Sequence, residues 1–346
     1  MPNERVLLVG AGGIAGAWLP NIVKEQLAVV GVVDIKKENA QKRIDEFKLD
    51  GARAFDSLDA ALRTLRSGGE RAADFAIDLT IPDAHCDVTC KCLEAGLHVV
   101  GEKPMASTIE QAKRMVATAQ RTGKLYMVSQ SRRWDTNHAT VAATARSGRL
   151  GTITTVDCDF YIGAHFGGFR DEMPSPLVLD MAIHHFDLVR MFTGLDAVSV
   201  YCEEWNPTGS WYKGDVAAVC LFEMQNGVRF TYRGSWCAEG MHTSWNGDWR
   251  VIGTDGTLLY DHDQPPRGQV VADRSQMKFH LPLKDLDVQT TPVEKPQFAG
   301  GLNEMLTFLR TGQRPQTECT DNIKSLAMVL AAIQSSREGR RVKIEV

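Results

Sequence analysis

Val6-Leu7-Leu8-Val9-Gly10-Ala11-Gly12-Gly13-Ile14-Ala15-Gly16 decides the fold of this chain. An apolar run feeds directly into a glycine-rich turn, and the turn opens an amphipathic segment, which is the strand, turn and helix of a dinucleotide-binding fingerprint with Ala at its third position. Gly10 makes the tight turn, Gly12 lets the backbone approach a pyrophosphate, and Ala15 permits close packing of helix on strand. Gly13 and Ile14 complete the turn, where the start of the helix offers free N–H groups and a positive dipole end to phosphates. A second apolar run, Ala28-Val29-Val30-Gly31-Val32-Val33, ends in Asp34. Its carboxylate suits the hydroxyls of an adenosine ribose and repels an added phosphate, so NAD is the expected cofactor. Lys36-Lys37 would neutralise such a phosphate, and NADP therefore remains open.

Outward from this turn, short apolar runs alternate with helix-like segments: Phe75 to Leu79, Val99-Val100 and Leu125 to Val128. Runs of this kind fit strands buried on both faces of a parallel sheet. Residues 1–128 are thus expected to form an α/β Rossmann domain. From Arg132 onward the runs lengthen and alternate: Thr152 to Ile162, Val198 to Trp205, Val216 to Met224, Val228 to Cys237 and Trp249 to Tyr260. Gln225-Asn226-Gly227 and Thr254-Asp255-Gly256-Thr257 put Asn-Gly and Asp-Gly where tight hairpins need positive φ. Residues 129–346 are expected to form an α+β domain with a large, mostly antiparallel open sheet and one helix over Leu177 to Phe192. Residues 262–298 are expected to be irregular. Leu302 to Thr311 and Asp321 to Arg337 predict closing helices of this second domain, with packing back on the first domain left open.

A chain of 346 residues with 43% hydrophobic composition can bury two cores. Its formal charge of -4 supplies no basic face for a nucleic acid, so the expected ligand is small. No apolar run reaches the length of a membrane span and Met1 to Arg5 does not open a leader, which makes the cytoplasm the expected setting. Among the eight cysteines, Cys86, Cys90 and Cys92 lie close in sequence, but no CxxC pair or nearby His completes a ligand set. Neither metal nor disulfide is expected.

Two further segments carry chemistry. Thr80-Ile81-Pro82 closes one strand, His85 opens the next helix, and Gly101-Glu102-Lys103-Pro104 follows the next strand, which puts Lys103 at the carboxyl edge of the sheet, where open α/β folds bind ligands. Leu179-Asp180-Met181-Ala182-Ile183-His184-His185 sets Asp180 and His184 on one helical face at i,i+4. An imidazole can exchange a proton near neutral pH and a neighbouring carboxylate can orient it, although a core or capping role stays open for His184 and His185.

The ordered set of glycine-rich turn, Thr80-Ile81-Pro82 with His85, Glu102-Lys103-Pro104, Arg132-Arg133-Trp134-Asp135, and Asp180 with His184 resembles the glucose-fructose oxidoreductase and inositol dehydrogenase family (Gfo/Idh/MocA). The resemblance extends over nearly the whole chain, and Ala15 in place of the usual third glycine is its main departure. It implies that Lys103, Asp180 and His184 are the catalytic group, and that Thr80, Ile81, Pro82, His85, Glu102 and Lys103 join Gly10, Gly12, Gly13, Ile14, Ala15 and Asp34 around the cofactor. Its chemistry is hydride transfer between the nicotinamide and a CH–OH group, with His184 or Lys103 as proton acceptor. It also implies a homodimer or homotetramer through the open sheet.

Gly163-Ala164-His165-Phe166-Gly167-Gly168-Phe169-Arg170-Asp171 leads into the Asp180 helix and offers a wall for a sugar, polyol or sugar acid. Arg133, Trp134, His165, Arg170 and His185 are the candidate substrate contacts, with Trp236 a further flat surface. The alternatives to a sugar or polyol dehydrogenase are a catalytically silent dinucleotide-binding regulator, an NAD-dependent glycoside-cleaving enzyme, and a reductase of a non-sugar substrate.

Overall fold

A computed structural model describes residues 4–67, 73–275 and 279–346. Residues 1–3 of the N-terminal segment and 276–278 of the expected irregular stretch lie outside the described residues. The chain divides into two compact units, one running to Ser131 and including Lys295–Ile323, the other made of Arg132–Glu294 and Lys324–Val346.

The first unit alternates strand and helix: β1 (Arg5–Val9), α1 (Ala15–Lys24), β2 (Ala28–Val33), α2 (Lys37–Phe47), β3 (Arg53–Phe55), α3 (Leu58–Ser67), β4 (Phe75–Asp78), α4 (Pro82–Glu94), β5 (His98–Gly101), α5 (Ile109–Thr122) and β6 (Tyr126–Val128). The six strands are parallel, in the order β3-β2-β1-β4-β5-β6. Val6, Leu7, Leu8, Phe75, Ala76, Ile77, Val99 and Val100 are buried, as expected of strands covered on both faces. The strand order reverses between β1 and β4, the point at which open α/β folds bind ligands beyond the carboxyl ends of their strands. The sequence missed β3, whose three residues carry Arg and Ala and so lack an apolar run.

The second unit contains α6 (Thr136–Arg146), β7 (Ile153–Tyr161), α7 (Phe169–Glu172), a π-helical turn over Leu177–Ala182 that continues into α8 (Ile183–Thr193), β8 (Ala197–Trp205), β9 (Ala217–Met224), β10 (Arg229–Ser235), β11 (Asp248–Gly253), β12 (Gly256–Tyr260), β13 (Arg267–Val271) and β14 (Leu283–Leu286). After α9 (Phe298–Thr311) and α10 (Cys319–Glu338), β15 (Val342–Lys343) completes a nine-stranded sheet in the order β14-β13-β12-β11-β7-β10-β9-β8-β15. The pairings are antiparallel except β10 on β7. One face is packed: Phe160, Phe222, Phe230 and Trp249 meet Phe186 and Phe192 of α8 in one core. The opposite face leaves Tyr201, Trp205, Val219 and Leu221 exposed.

Several expectations change in detail. The Asn226-Gly227 turn has the positive φ values of a tight hairpin, +58° and +74°. Asp255-Gly256 does not, although it too joins paired strands. Gly256 serves another purpose: a Cβ there would lie 2.5 Å from the Gln269 carbonyl oxygen, so glycine admits β13. The stretch 262–298 is not wholly irregular, for it holds β14 at the sheet edge and β13 beside it, strands whose polar residues hide the alternation. The residues Lys295–Ile323 count with the first unit rather than with 129–346. The cause is local: the Phe298 ring meets Trp18 of α1 at 5.5 Å, Arg310 pairs with Glu4, and the Val128 N–H donates to Thr317 O at 3.0 Å. Among the described residues no helix is long and apolar enough to cross a membrane.

Candidate active site

In the first unit the site begins at the β1–α1 turn. Gly10 has φ +102°, and a Cβ on it would sit 2.6 Å from the Leu79 carbonyl oxygen, so both conformation and the approach of the chain after β4 demand glycine. Its N–H donates to Val33 O at 2.7 Å, which ties the turn to the end of β2. Gly12 and Gly13 face open space, where a Cβ would meet nothing within 4 Å. The Ala15 and Gly16 amides turn back to Gly12 O and Gly13 O at 3.3 and 3.0 Å. Among the described residues, the Gly12, Gly13 and Ile14 amides donate to no protein acceptor. Consecutive free N–H groups at a helix start fit a pyrophosphate, and these residues would hold it.

Asp34 lies at the tip of β2. Its Oδ2 accepts from Ala11 N–H at 2.9 Å, and its Oδ1 accepts from Lys36 N–H at 2.9 Å and Asn39 Nδ2 at 3.2 Å. An anion held there fits an adenosine ribose. Arg43 of α2, unmarked by any sequence signal, reaches the same turn, with Nε on Ala11 O at 3.2 Å and its terminal nitrogen on Gly12 O at 2.9 Å.

Beyond β4, Thr80 donates to Asp78 Oδ1 through both N–H and hydroxyl, at 3.1 and 2.6 Å, and Ile81 stands 66% exposed before Pro82 starts α4. His85 is buried, with Nδ1 2.9 Å from Pro104 O and Nε2 3.0 Å from Thr80 O. It braces the segment after β4 against the segment after β5, so its ring acts on the site through the backbone. Glu102 is buried too; the Trp18 indole N–H donates to Oε1 at 2.7 Å and the Lys103 N–H to Oε2 at 3.3 Å. Burial raises its pKa, opposed by the Trp18 bond and the Lys103 charge. Lys103 is half-buried at the carboxyl edge of β5, and its peptide bond to Pro104 is cis.

In the second unit Asp180 lies in the π-helical turn and His184 in the first turn of α8. A π turn bonds i to i+5, so it widens the helix where the sequence predicts an unbroken α-helix, and π turns occur disproportionately at functional sites. From Leu177 to Leu188 the chain is buried except at Leu179, Asp180 and His184, which are half-buried. Arg170 Nε donates to Asp180 Oδ2 at 2.6 Å, while its guanidinium lies over the rings of Phe166 and Phe169 at 5.0 and 4.7 Å. Arg170, expected as a substrate contact, is therefore first a partner of Asp180. His165 stacks on Trp211 at 3.7 Å and pairs with Glu239 at 2.7 Å, both on the surface.

Three expected substrate contacts are corrected. His185 has no exposed surface and packs among Phe160, Tyr232 and Trp249; burial, with Arg132 and His138 nearby, holds its pKa well below the ordinary value, so it is a neutral core ring. Arg133 is buried in a two-point pair with Asp187, both contacts at 2.7 Å, and the Ser325 hydroxyl donates to the same carboxylate at 2.7 Å. Trp134 is buried as well, 6% exposed. Long polar and aromatic side chains next to a motif look functional in sequence, and only the packing reveals that they hold the unit together. Among the described residues no group of three or more His, Cys, Asp or Glu could hold a metal ion.

Known proteins match over both units. Residues 4–130 match the family described as "Oxidoreductase family, NAD-binding Rossmann fold", and residues 138–259 match the GFO/IDH/MocA C-terminal domain. An uncharacterized protein of Sinorhizobium fredii, y4oX, is 30% identical, covering 99% of this chain and 96% of its own. The 1,5-anhydro-D-fructose reductase of Ensifer adhaerens is 24% identical over 98% of each chain. Among solved structures, an oxidoreductase from Agrobacterium radiobacter in complex with NAD+, L-tartaric acid and magnesium superposes with a TM-score of 0.83 at 21% identity, covering 99% of this chain and 98% of that one. The chain belongs to the GFO/IDH/MocA oxidoreductase family, and its first unit is an NAD-binding Rossmann fold.

Proposed function

We propose that this protein is an NAD-dependent dehydrogenase or reductase acting on a CH–OH group of a sugar, polyol or sugar acid. The observation that carries the reading is the open stretch of an otherwise buried helix, where Asp180 and His184 remain accessible beside Arg170. When bound, the nicotinamide accepts or returns the hydride. His184 takes the hydroxyl proton on oxidation and gives it back on reduction. Asp180, held by Arg170, orients the imidazole or a neighbouring hydroxyl. Lys103 supplies positive charge to the oxygen that becomes an alkoxide, and is the second candidate proton acceptor. His165, flat on Trp211, and Phe166 give a polar and aromatic wall suited to a polyhydroxylated ring. A sugar reductase among the relatives and a hydroxy acid in a structural neighbour support this substrate class.

NADH absorbance is followed with pooled aldoses, polyols and sugar acids, with NADP in parallel. One active pool is expected, and His184→Ala should lower turnover about 10²–10⁴-fold while the Kd for NAD stays unchanged. Silence in every pool, with NAD binding demonstrated, would sink the reading in favour of a silent regulator, a glycoside-cleaving enzyme or a non-sugar reductase. The same reading includes a cytoplasmic setting, where NAD is at hand, and a homodimer or homotetramer assembled through the face that exposes Tyr201, Trp205, Val219 and Leu221. Light scattering at assay concentration tests the assembly, and a monomer would refute it.

A further inference from the structure

The geometry points to Arg43 as a positioning residue for the cofactor, one that sets the peptide planes of the phosphate-binding turn and so aims its N–H groups. The inference rests on NAD binding by the first unit.

Arg43 stands on α2, far from the glycine fingerprint in sequence, yet two nitrogens of its guanidinium meet two successive carbonyls, Ala11 O at 3.2 Å and Gly12 O at 2.9 Å. Across a planar trans peptide, the C=O of one residue and the N–H of the next point in opposite directions. Fixing the Ala11 and Gly12 carbonyls toward α2 therefore turns the Gly12 and Gly13 N–H groups away from it, at two glycines where a Cβ would meet nothing within 4 Å. Those are two of the amides that donate to no protein acceptor among the described residues. Glycine has no side chain to restrict such a turn, so an outside clamp removes rotational freedom that a bound pyrophosphate would otherwise have to remove.

The clamp has a second jaw. Asp34 Oδ2 accepts the Ala11 N–H at 2.9 Å, so Ala11 is held by its amide from β2 and by its carbonyl from α2. The rigid fork of arginine suits two carbonyl partners in a way the single ammonium of lysine does not. The remaining terminal nitrogen of Arg43 pairs with Glu46 at 2.8 Å, and the side chain is 19% exposed. The guanidinium is thus fixed on three sides, with its charge partly offset. A residue committed in this way acts on the pyrophosphate that NAD and NADP share. Asp34, by contrast, would hold the ribose at which the two cofactors differ.

The test measures Kd by titration calorimetry for NAD and for NADP with the parent chain, Arg43→Met, Arg43→Lys and Asp34→Ala. Arg43→Met is expected to weaken both cofactors about tenfold, the worth of a lost pair of hydrogen bonds, and to leave the NADP to NAD ratio unchanged. Arg43→Lys keeps the charge without the fork; it should lose about threefold, and it carries the test if Arg43→Met does not fold. Asp34→Ala should change the ratio. Unchanged affinity in a folded Arg43 variant, or a loss confined to NADP, would overturn the proposal, the second by making Arg43 a reader of the added phosphate. A parent chain that binds neither cofactor would instead remove the cofactor assignment and this role with it.

Discussion

Two glycine-bearing segments face different tasks in this molecule. In the β1–α1 turn, Gly10 combines φ +102° with a neighbour 2.6 Å from where its Cβ would be, and Gly12 and Gly13 leave amides uncovered. In the loop before the π turn, Gly167 and Gly168 also have positive φ, +67° and +70°, but a Cβ on either would meet nothing within 4 Å. The first set builds a cradle out of backbone. The second bends an exposed loop so that side chains, Arg170 above all, reach the Asp180 helix. A glycine-rich string therefore has no single meaning: what matters is whether the missing side chain makes room for the chain's own backbone or only for a bend.

The sharpest test of this distinction is Gly10→Ala. The new methyl meets backbone that cannot rotate aside, in a conformation that L-residues rarely adopt, so the expected cost is about 4 kcal/mol. Thermal unfolding should show a large loss in melting temperature, and NAD should no longer protect the variant. A stable Gly10→Ala that binds NAD normally would show that the turn tolerates side chains and that the cradle is less constrained than its geometry requires.

Next in size is Arg133→Met, which asks whether the side-chain-built unit depends on its buried charges. Asp187 is 2% exposed and holds Arg133 by two contacts, so removing one partner leaves a carboxylate buried without its main counter-charge. A loss of about 3 kcal/mol is expected in chemical denaturation. The Kd for NAD should not move, because Arg133 belongs to the other unit. A variant of normal stability with impaired turnover would return Arg133 to the substrate contacts that the sequence suggests.

The same contrast explains what the sequence could disclose. The parallel sheet and glycine turn of the first unit are legible because burial on both faces forces unbroken apolar runs, and because the turn's glycines answer a backbone requirement. The half-buried strands β7 to β10 are legible from alternation. β13 and β14 are not, since β14, at the sheet edge, buries no residue fully and β13 beside it buries only Val270, so neither shows an apolar alternation. Of the residues proposed to act, Asp34, Lys103, Asp180 and His184 could be singled out by position in the sequence. The roles of His85, Arg133 and His185 could not, because a polar side chain beside a motif reads alike whether it meets a ligand, a carbonyl or a packed ring. Arg43 left no trace at all: its partners are carbonyls, which every residue has.

Gly167→Ala carries the smallest expected effect and bears most directly on the comparison. Its methyl enters open space, so the penalty is conformational only, about 1 kcal/mol for an L-residue held at positive φ. In a unit of this size that corresponds to roughly 2–4 °C in melting temperature, and affinity for NAD should be untouched. Turnover can still fall, because the bend at Gly167 and Gly168 precedes Arg170, and a loop that relaxes its φ moves the guanidinium away from Asp180. A fall in turnover without a fall in stability is thus the signature of a glycine that serves side-chain delivery. If Gly167→Ala costs as much stability as Gly10→Ala, the two segments obey one rule after all, and the loop is as tightly built as the cradle.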